Sequence, residues 1–389
     1  MNIPLSCYIH IPWCLKKCPY CDFNSHQISD HSPLAEDQYI LALCKEIDYW
    51  ATVETRTINT IFIGGGTPSL FSDTAIGTII DYLNCKFTIA NNAEITIEAN
   101  PATIETKFIA GYKIVGVNRV SLGVQSFNNK FLKLLGRIHN QIEILEAIEN
   151  INKYFTNYNL DIMYGLPQQT LADVEQDLKF AIAANPSHLS CYNLTIEPNT
   201  YFAKYRPSQL PSSDDSADMQ ELINSYLNKQ EFQQYEVAAY AKHNQYSKHN
   251  INYWLFGDYI GIGAGAASKI SYNMPTTNGY IVRTMNIKHP QNYIKSLLTK
   301  NSHILTKDIV KNKDLIIEFM INALRLTDGF TVELFTNRTG LQYSDIADTI
   351  NKHQAFNNLN LNKNSKESTK IFPTARGINL LNEILLDFN

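Results

Sequence analysis

The chain is 389 residues long, 44% hydrophobic and 18% charged, with a net charge of −4. That length exceeds one ordinary core unless a barrel takes a large share of it, and the weak net charge, with no long basic run, excludes the electrostatic footprint of a dedicated nucleic-acid binder. The lack of any apolar run of about eighteen residues excludes a membrane-spanning helix, and seven cysteines, an odd count with Cys7, Cys44, Cys85 and Cys191 scattered, together with no secretory leader pattern, point to a reducing cytoplasm.

In chain order, strands are predicted over 5–11, 60–63, 94–98, 119–123, 159–162 and 188–194, with helical patterns over 34–50, 73–83, 142–154 and 171–184. Repeated strand–helix alternation implies a parallel sheet with right-handed crossovers, and an open doubly wound sheet and a partial barrel satisfy it equally. In either, ligands bind at the carboxyl rim of the strands.

The first strand runs into Cys14-Leu-Lys-Lys-Cys18-Pro-Tyr20-Cys21, a C-x3-C-x2-C spacing that puts three thiols on one short loop. Three thiolates cap three corners of a four-iron cluster and leave the fourth iron open; a structural zinc site completed by His10 or His26 is the alternative. The second strand ends in Gly64-Gly65-Gly66-Thr67-Pro68-Ser69. Its glycines let backbone amides approach a bound group, or simply make a tight turn, and without a Lys-Ser/Thr ending it is not a nucleotide P-loop. Glu98 ends the third strand, Gln125 follows the fourth with Arg137 beyond it, and Asp161 lies in the fifth. Each alone reads as a cap or a surface ion pair. Sharing one rim, they suit a ligand that carries both cationic and anionic groups.

Beyond Tyr201 the composition changes. Residues 207–218, rich in Pro, Ser and Asp, read as a surface connection. His249-Asn250-Ile251-Asn252-Tyr253-Trp254 reads as an aromatic plug around a satisfied histidine, or as an imidazole beside flat rings suited to a porphyrin. The glycine-dense stretch 257–265 reads as a close-packed turn. From about Lys307, small amphipathic helices around 318–330 and 377–387 suggest a separate module, with 357–368 as its flexible loop. The expected organisation is a core over 1–206, a linker and motif segment over 207–306, and a C-terminal domain over 307–389.

The cysteine loop, with an aromatic residue before its last cysteine, resembles the signature of the radical S-adenosylmethionine (SAM) superfamily, and YIHIPWC...KCPYCDFNSH is similar to its coproporphyrinogen-oxidase-like branch. The likeness runs in order over about 200 residues with several motifs. It implies a partial (β/α)6 barrel, α/β in class, with a smaller, mainly helical C-terminal module. It also implies a [4Fe-4S] cluster on Cys14, Cys18 and Cys21 with SAM on the open iron. Residue by residue, Gly65, Gly66 and Thr67 would contact the amino group of SAM, Glu98, Gln125, Arg137 and Asp161 would line its site, and Tyr8 and Tyr20 would be aromatic contacts. HNINYW resembles a heme-associated HNxxYW motif of the branch, which makes His249 the candidate heme ligand. Two departures stand out: Ala267 occupies a place where relatives carry histidine, and YEVAA stands where they read YEISN. Decarboxylases of the branch carry a further cysteine at the place of Phe23 and an N-terminal extension, and this chain shows neither. The resemblance therefore implies a cytoplasmic heme chaperone with no catalytic residue, which delivers heme to an acceptor protein, with a heme donor and transient membrane association as further expectations. An oxygen-independent coproporphyrinogen III oxidase is the alternative. A radical RNA modifier is weaker, for want of a basic stripe.

Overall fold

The computed structural model describes residues 3–29, 34–103, 106–276, 279–300, 302–310, 312–362 and 369–388. Its centre is six parallel strands, each followed by helix: β1 (Leu5–Ile11), β2 (Ile58–Gly65), β3 (Ile89–Ala99), β4 (Arg119–Gln125), β5 (Tyr158–Tyr164) and β6 (His188–Asn193). This is the expected α/β arrangement of a partial (β/α)6 barrel. The strands are buried on both faces, as parallel strands between helices must be. In β1, Leu5, Cys7, Ile9 and Ile11 point into the helix-packed core, so Ser6, Tyr8 and His10 point into the barrel lumen. The same alternation gives the lumen an unusually polar lining, including buried Thr60, Glu94, Thr96, Arg119, Asn159 and His188.

The helices cover the outer face. Helix α1 (Glu36–Val53) buries Tyr39, Ala42, Leu43, Glu46, Ile47 and Trp50, a stripe at helical spacing. Each fully buried Leu, Ile or Trp of that stripe contributes roughly 1.5–3 kcal/mol. Helix α2 (Asp73–Lys86) starts at an N-cap, Ser72, whose side chain accepts from the Ala75 amide, and α3 (Thr106–Ile114) follows β3. Helix α4 (Gln141–Tyr154) and α5 (Leu171–Ala183) start at capping boxes, Asn140 with Glu143 and Thr170 with Asp173.

The second half adds more sheet than the composition suggested. Strands β7 (Gln233–Glu236) and β8 (Ala239–Ala241) close one edge, and β9 (Asp258–Ile262), β10 (Ala267–Tyr272), β11 (Tyr280–Asn286) and β12 (Ile304–Ile309) extend the other. The full order is β12-β11-β10-β9-β1-β2-β3-β4-β5-β6-β8-β7. Two local expectations are corrected here. The stretch 257–265, expected as a turn, is β9 lying parallel against β1, and only Gly263 (φ +111°) and Gly265 (φ +76°) form the turn after it. Part of 207–218 is helix: α6 (Ser213–Lys229) begins at a capping box of Ser212 with Asp215, so its Ser and Asp residues are cap chemistry.

A second core gathers Leu315, Phe319, Met320, Leu324, Phe330, Phe335, Ile346, Ile350 and Ile384, joined by Ile281 from the extended sheet and by Phe256 from the turn before β9. Its helices carry a three-stranded sheet of Phe330–Thr331, Lys370–Pro373 and Leu359–Asn362. Positions 363–368 of the expected flexible loop lie outside the described residues. Among the described residues no helix is long and apolar enough to cross a membrane.

Candidate functional site

The cysteine loop leaves the carboxyl end of β1. Cys14 is buried; Cys18 and Cys21 are half-buried, and the Cys21 amide donates to the Cys18 carbonyl at 3.1 Å. The loop is held by its neighbours: Lys17 Nζ donates to the carbonyls of Phe23 and Ser25 (3.2 and 3.1 Å), and Asn24 Nδ2 to those of Ala264 and Lys288 (2.9 and 2.8 Å). Asn24 is a positioning residue that sequence reasoning missed, because its partners lie in the β9–β10 turn and beyond. Glycine at 263 and 265 follows from the same contact: a Cβ there would stand 2.5 Å from the His10 carbonyl and 2.4 Å from Asn24 Nδ2.

The thiols sense one another. Burial first, then the neighbouring Cys21 and Cys18, push Cys14 up to about 11, and burial also raises Cys21. Three thiols on one short loop are the donor set that caps three irons of a cluster. His10, the suggested zinc ligand, is occupied: Nε2 lies 2.9 Å from the Asn24 carbonyl and Nδ1 2.9 Å from Tyr8 Oη. His26 Nε2 lies 3.3 Å from Asn24 Oδ1.

The glycine turn after β2 behaves differently from its sequence reading. Its amides are used inside the protein: Gly65 N–H donates to Glu98 Oε2 (3.0 Å), Gly66 N–H to the Ile11 carbonyl and Thr67 N–H to the Trp13 carbonyl (both 2.7 Å). A Cβ on Gly66 would meet the Trp13 carbonyl oxygen at 2.4 Å, and one on Gly65 (φ +118°) the His10 ring at 2.6 Å. The turn is thus a wedge against the root of the cysteine loop, and carbonyl oxygen is the backbone group it has to offer a ligand. An ammonium asks for that group.

Around this wedge the rim residues come together. Glu98 is pushed up to about 7 by burial, opposed by the Gly65 amide and reinforced by nearby Asp161. Asp161 is raised by burial despite bonds from Asn159 Nδ2 (2.8 Å) and Ser121 Oγ (3.2 Å). Arg137 donates through Nη2 to the Gly123 carbonyl (2.8 Å) and places Nη1 3.6 Å from Cys18 Sγ, while its buried Nε has no partner among the described residues. Gln125 sits beside Gly123 at φ +69°, a left-handed conformation that a non-glycine residue holds only when its surroundings impose it. Tyr20 packs against the cluster of Phe131, Leu135, Met163, Leu166, Leu194 and Phe202, close to Arg137 and Cys18, and Tyr8 faces the lumen stacked on Phe62.

His249 lies elsewhere. It opens α7 (Lys248–Trp254), plugs the lumen from the strands' amino-terminal side and is 1% exposed. Nδ1 is 2.8 Å from Thr60 Oγ1 and Nε2 3.0 Å from Tyr253 Oη; the ring stacks on Phe62, and its amide donates to Glu94. Burial, with Arg119 nearby, drives it down to about 3, so the imidazole is neutral. Ala267 pairs with Met285 across β10 and β11 and brings no imidazole.

Known proteins resemble this chain along most of its length. The Radical SAM superfamily matches residues 8–181 and the HemN C-terminal domain residues 310–378. The chain is 43% identical to the heme chaperone HemW of Haemophilus influenzae over 89% of each chain, and 44% identical to the heme chaperone HemW of Escherichia coli over 87% of each. Among solved structures, coproporphyrinogen III oxidase (HemN) from Escherichia coli, a radical SAM enzyme, is similar with a TM-score of 0.82 at 24% identity, covering 100% of this chain and 90% of that one. At that identity the likeness speaks for the fold.

Proposed function

The chain belongs to the heme chaperone HemW family of the radical SAM superfamily, and from that membership we propose that it binds heme and passes it to an acceptor protein while carrying a SAM-ligated [4Fe-4S] cluster. The observation that carries this reading is identity above 40% to named heme chaperones along nearly the whole chain, both cores included. Cys14, Cys18 and Cys21 are proposed to cap three irons. A cluster with one iron free of cysteine supplies a chelation point for the amino and carboxylate groups of SAM and a source of one electron.

The protein's part is to bind and orient. Arg137, already beside Cys18, is placed to receive the SAM carboxylate through its planar fork. Carbonyls of the Gly65–Thr67 turn suit the ammonium. Glu98 and Asp161, two carboxyls that burial makes reluctant to ionise, are suited to accept from hydroxyl and ammonium donors. Gln125, held beside Gly123, Tyr8 and Tyr20 complete the lining.

His249 is proposed as the axial heme ligand. Neutral imidazole is the form that ligates iron, and to do so His249 has to release Thr60 or Tyr253, so loading requires α7 to loosen. With alanine at 267, His249 would be the single imidazole this segment offers the iron, which suits delivery. Phe23, 61% exposed beside the cysteine loop, brings no thiol for decarboxylase chemistry. Heme acceptor, heme donor and transient membrane contact are the partners this reading expects, in the cytoplasm and without nucleic acid.

The test is a heme titration of the anaerobically reconstituted protein, beside a decarboxylation assay. A Soret band saturating near one equivalent, weakened in His249→Ala, supports the proposal. Multiple turnovers of carbon dioxide from coproporphyrinogen would replace it with the oxidase. One equivalent of zinc with no iron uptake would remove the cluster.

A further inference from the structure

Beyond β5 and β6 the chain leaves a cleft of about 590 Å³ between the starts of α5 and α6. Ligand clefts span roughly 300–1,000 Å³, and in parallel α/β folds they form at this end of the strands. Its walls are pinned together at one point. The Gln168 amide donates to the Gln209 carbonyl at 2.8 Å, and both residues are left-handed, at φ +62° and +60°. The floor is apolar, with buried Met219 and half-buried Leu210 and Pro211, and Leu171 stands 45% exposed on one wall. Leu210 packs on the same apolar group as Tyr20, so the floor lies one layer from the cysteine loop.

Two features of the cleft ask for a ligand. Gln169, 5% exposed, lines it, and its Oε1 accepts from the Leu166 amide at 3.1 Å, which fixes the orientation of the side-chain amide. The nitrogen is then what Gln169 has to offer, and Nε2 has no partner among the described residues. A buried donor left in that state costs about 1–3 kcal/mol until an acceptor joins it. On the other wall Asp215, Asp218 and Met219 share one face of α6, three and four residues apart. Both carboxyls are exposed, and among the described residues neither makes an ion pair. Bonds from the Ser212 side chain and amide hold Asp215 below its ordinary range, so it stays ionised. These carboxylates repel an anion, and a bare metal cation leaves the apolar floor unused. A peptide meets all three demands, with a backbone carbonyl for the donor, an apolar side chain for the floor and a lysine or arginine for the wall.

We propose that this cleft docks a basic, apolar peptide segment of a partner protein. A carbonyl of the segment accepts from Gln169 Nε2, an apolar side chain packs on Met219 and Leu210, and a cationic one reaches Asp215 and Asp218. A chain that alternates lysine with leucine presents the two kinds of side chain on opposite faces, and the cleft separates its apolar floor from its acidic wall in the same way. Attraction to exposed carboxylates makes such binding sensitive to salt. Neither the iron–sulfur cluster nor heme enters the argument, so the site stands apart from those readings.

The experiment titrates a fluorescent octapeptide alternating lysine and leucine with the full chain and follows its anisotropy, beside analogues with glutamate in place of lysine and serine in place of leucine. The basic, apolar peptide is expected to bind about tenfold tighter than either analogue, to weaken as salt rises, and to protect amides of 169–172 and 209–219 from hydrogen exchange. Asp218→Lys and Leu171→Lys, both at exposed positions, should each weaken it about fivefold or more. Gln169→Met, which removes the buried donor, should weaken it as well, with folding checked by circular dichroism; if that variant does not fold, the two surface variants decide. No binding, equal affinity for the basic and acidic peptides, affinity unchanged in both surface variants, or protection elsewhere on the chain overturns the assignment. Self-association that the peptide does not compete with and the surface variants abolish gives the cleft to a second copy of the chain and overturns it too.

Discussion

Replacing Gly66 by alanine puts the wedge at the root of the cysteine loop under direct strain. The added Cβ would stand 2.4 Å from the Trp13 carbonyl oxygen, 2.8 Å from its carbon and 3.1 Å from the Ile11 carbonyl oxygen. All three are backbone atoms, so no side-chain rotation relieves the clash, and the turn has to back away. In doing so it gives up the bonds from Gly66 N–H to Ile11 and from Thr67 N–H to Trp13. Two backbone bonds at about 0.5–1.5 kcal/mol each, with about 1–3 kcal/mol of overpacking, amount to roughly 2–6 kcal/mol. Against a typical total of about 5–15 kcal/mol, that is a large fraction of stability. Because Cys14 follows Trp13 directly, the displacement should also spoil the spacing of the thiols. The assay is a thermal melt followed by iron and sulfide analysis after anaerobic reconstitution, and both the melting temperature and the iron content should fall. Gly116→Ala is the control: its φ of +102° makes alanine strained, but nothing lies within 4 Å of the new Cβ, so it should cost about 1–2 kcal/mol and leave iron content untouched. A Gly66→Ala protein with full iron content and an unchanged melt would refute the wedge.

Arg137→Met should weaken SAM binding by about 10- to 100-fold, the worth of a charge-assisted hydrogen bond, with folding retained by circular dichroism; wild-type SAM affinity would remove Arg137 from the site. Glu98→Ala and Asp161→Ala should weaken SAM binding in the same range while iron content holds, and loss of iron without loss of SAM affinity in cluster-loaded molecules would reverse that assignment. Glu46, buried on α1 among Trp50, Gly263, Asn286 and Tyr293, is pushed by burial from its ordinary 4.5 up to about 7. A carboxyl raised in the folded state contributes stability that is fully present below pH 4.5 and lost as the pH rises through about 7. Denaturant titrations of wild type across that window should show a component falling by roughly 3 kcal/mol, absent in Glu46→Gln; equal slopes in the two proteins would contradict it.

Much of the site could be read without coordinates because its signals are local. Cys14, Cys18 and Cys21 share one loop whatever the fold, and β1 to β6 announce themselves as short apolar-rich runs between longer amphipathic ones. A rim position follows once strand and direction are known, which is why Glu98, Gln125, Arg137 and Asp161 can be grouped there from the sequence as candidates. Strand β9 escaped because its glycines imitate a turn. Gly261 is needed where a Cβ would strike the Ala267 carbonyl at 2.0 Å on the neighbouring strand, a reason invisible in the segment itself. The start of α6 escaped because Ser212 and Asp215 are equally good loop and cap residues until the helix behind them packs.

By itself, then, the sequence determined spacing and alternation: three thiols on one loop, a repeating strand–helix period, and a line of polar residues ending at one rim. These are properties of contiguous residues. Only the tertiary structure decided how those groups are spent, because the partners come from far along the chain. Asn24 braces the cysteine loop against Ala264, 240 residues away, and His249 is satisfied by Thr60, 189 residues away. The glycine turn turns its amides inward against Ile11 and Trp13, while Arg119, looking like any strand-edge arginine in sequence, is buried facing the lumen, its Nε without a hydrogen-bond partner among the described residues. Hydrogen bonding is decided by distances of a few tenths of an ångström, and closure of the barrel sets those distances.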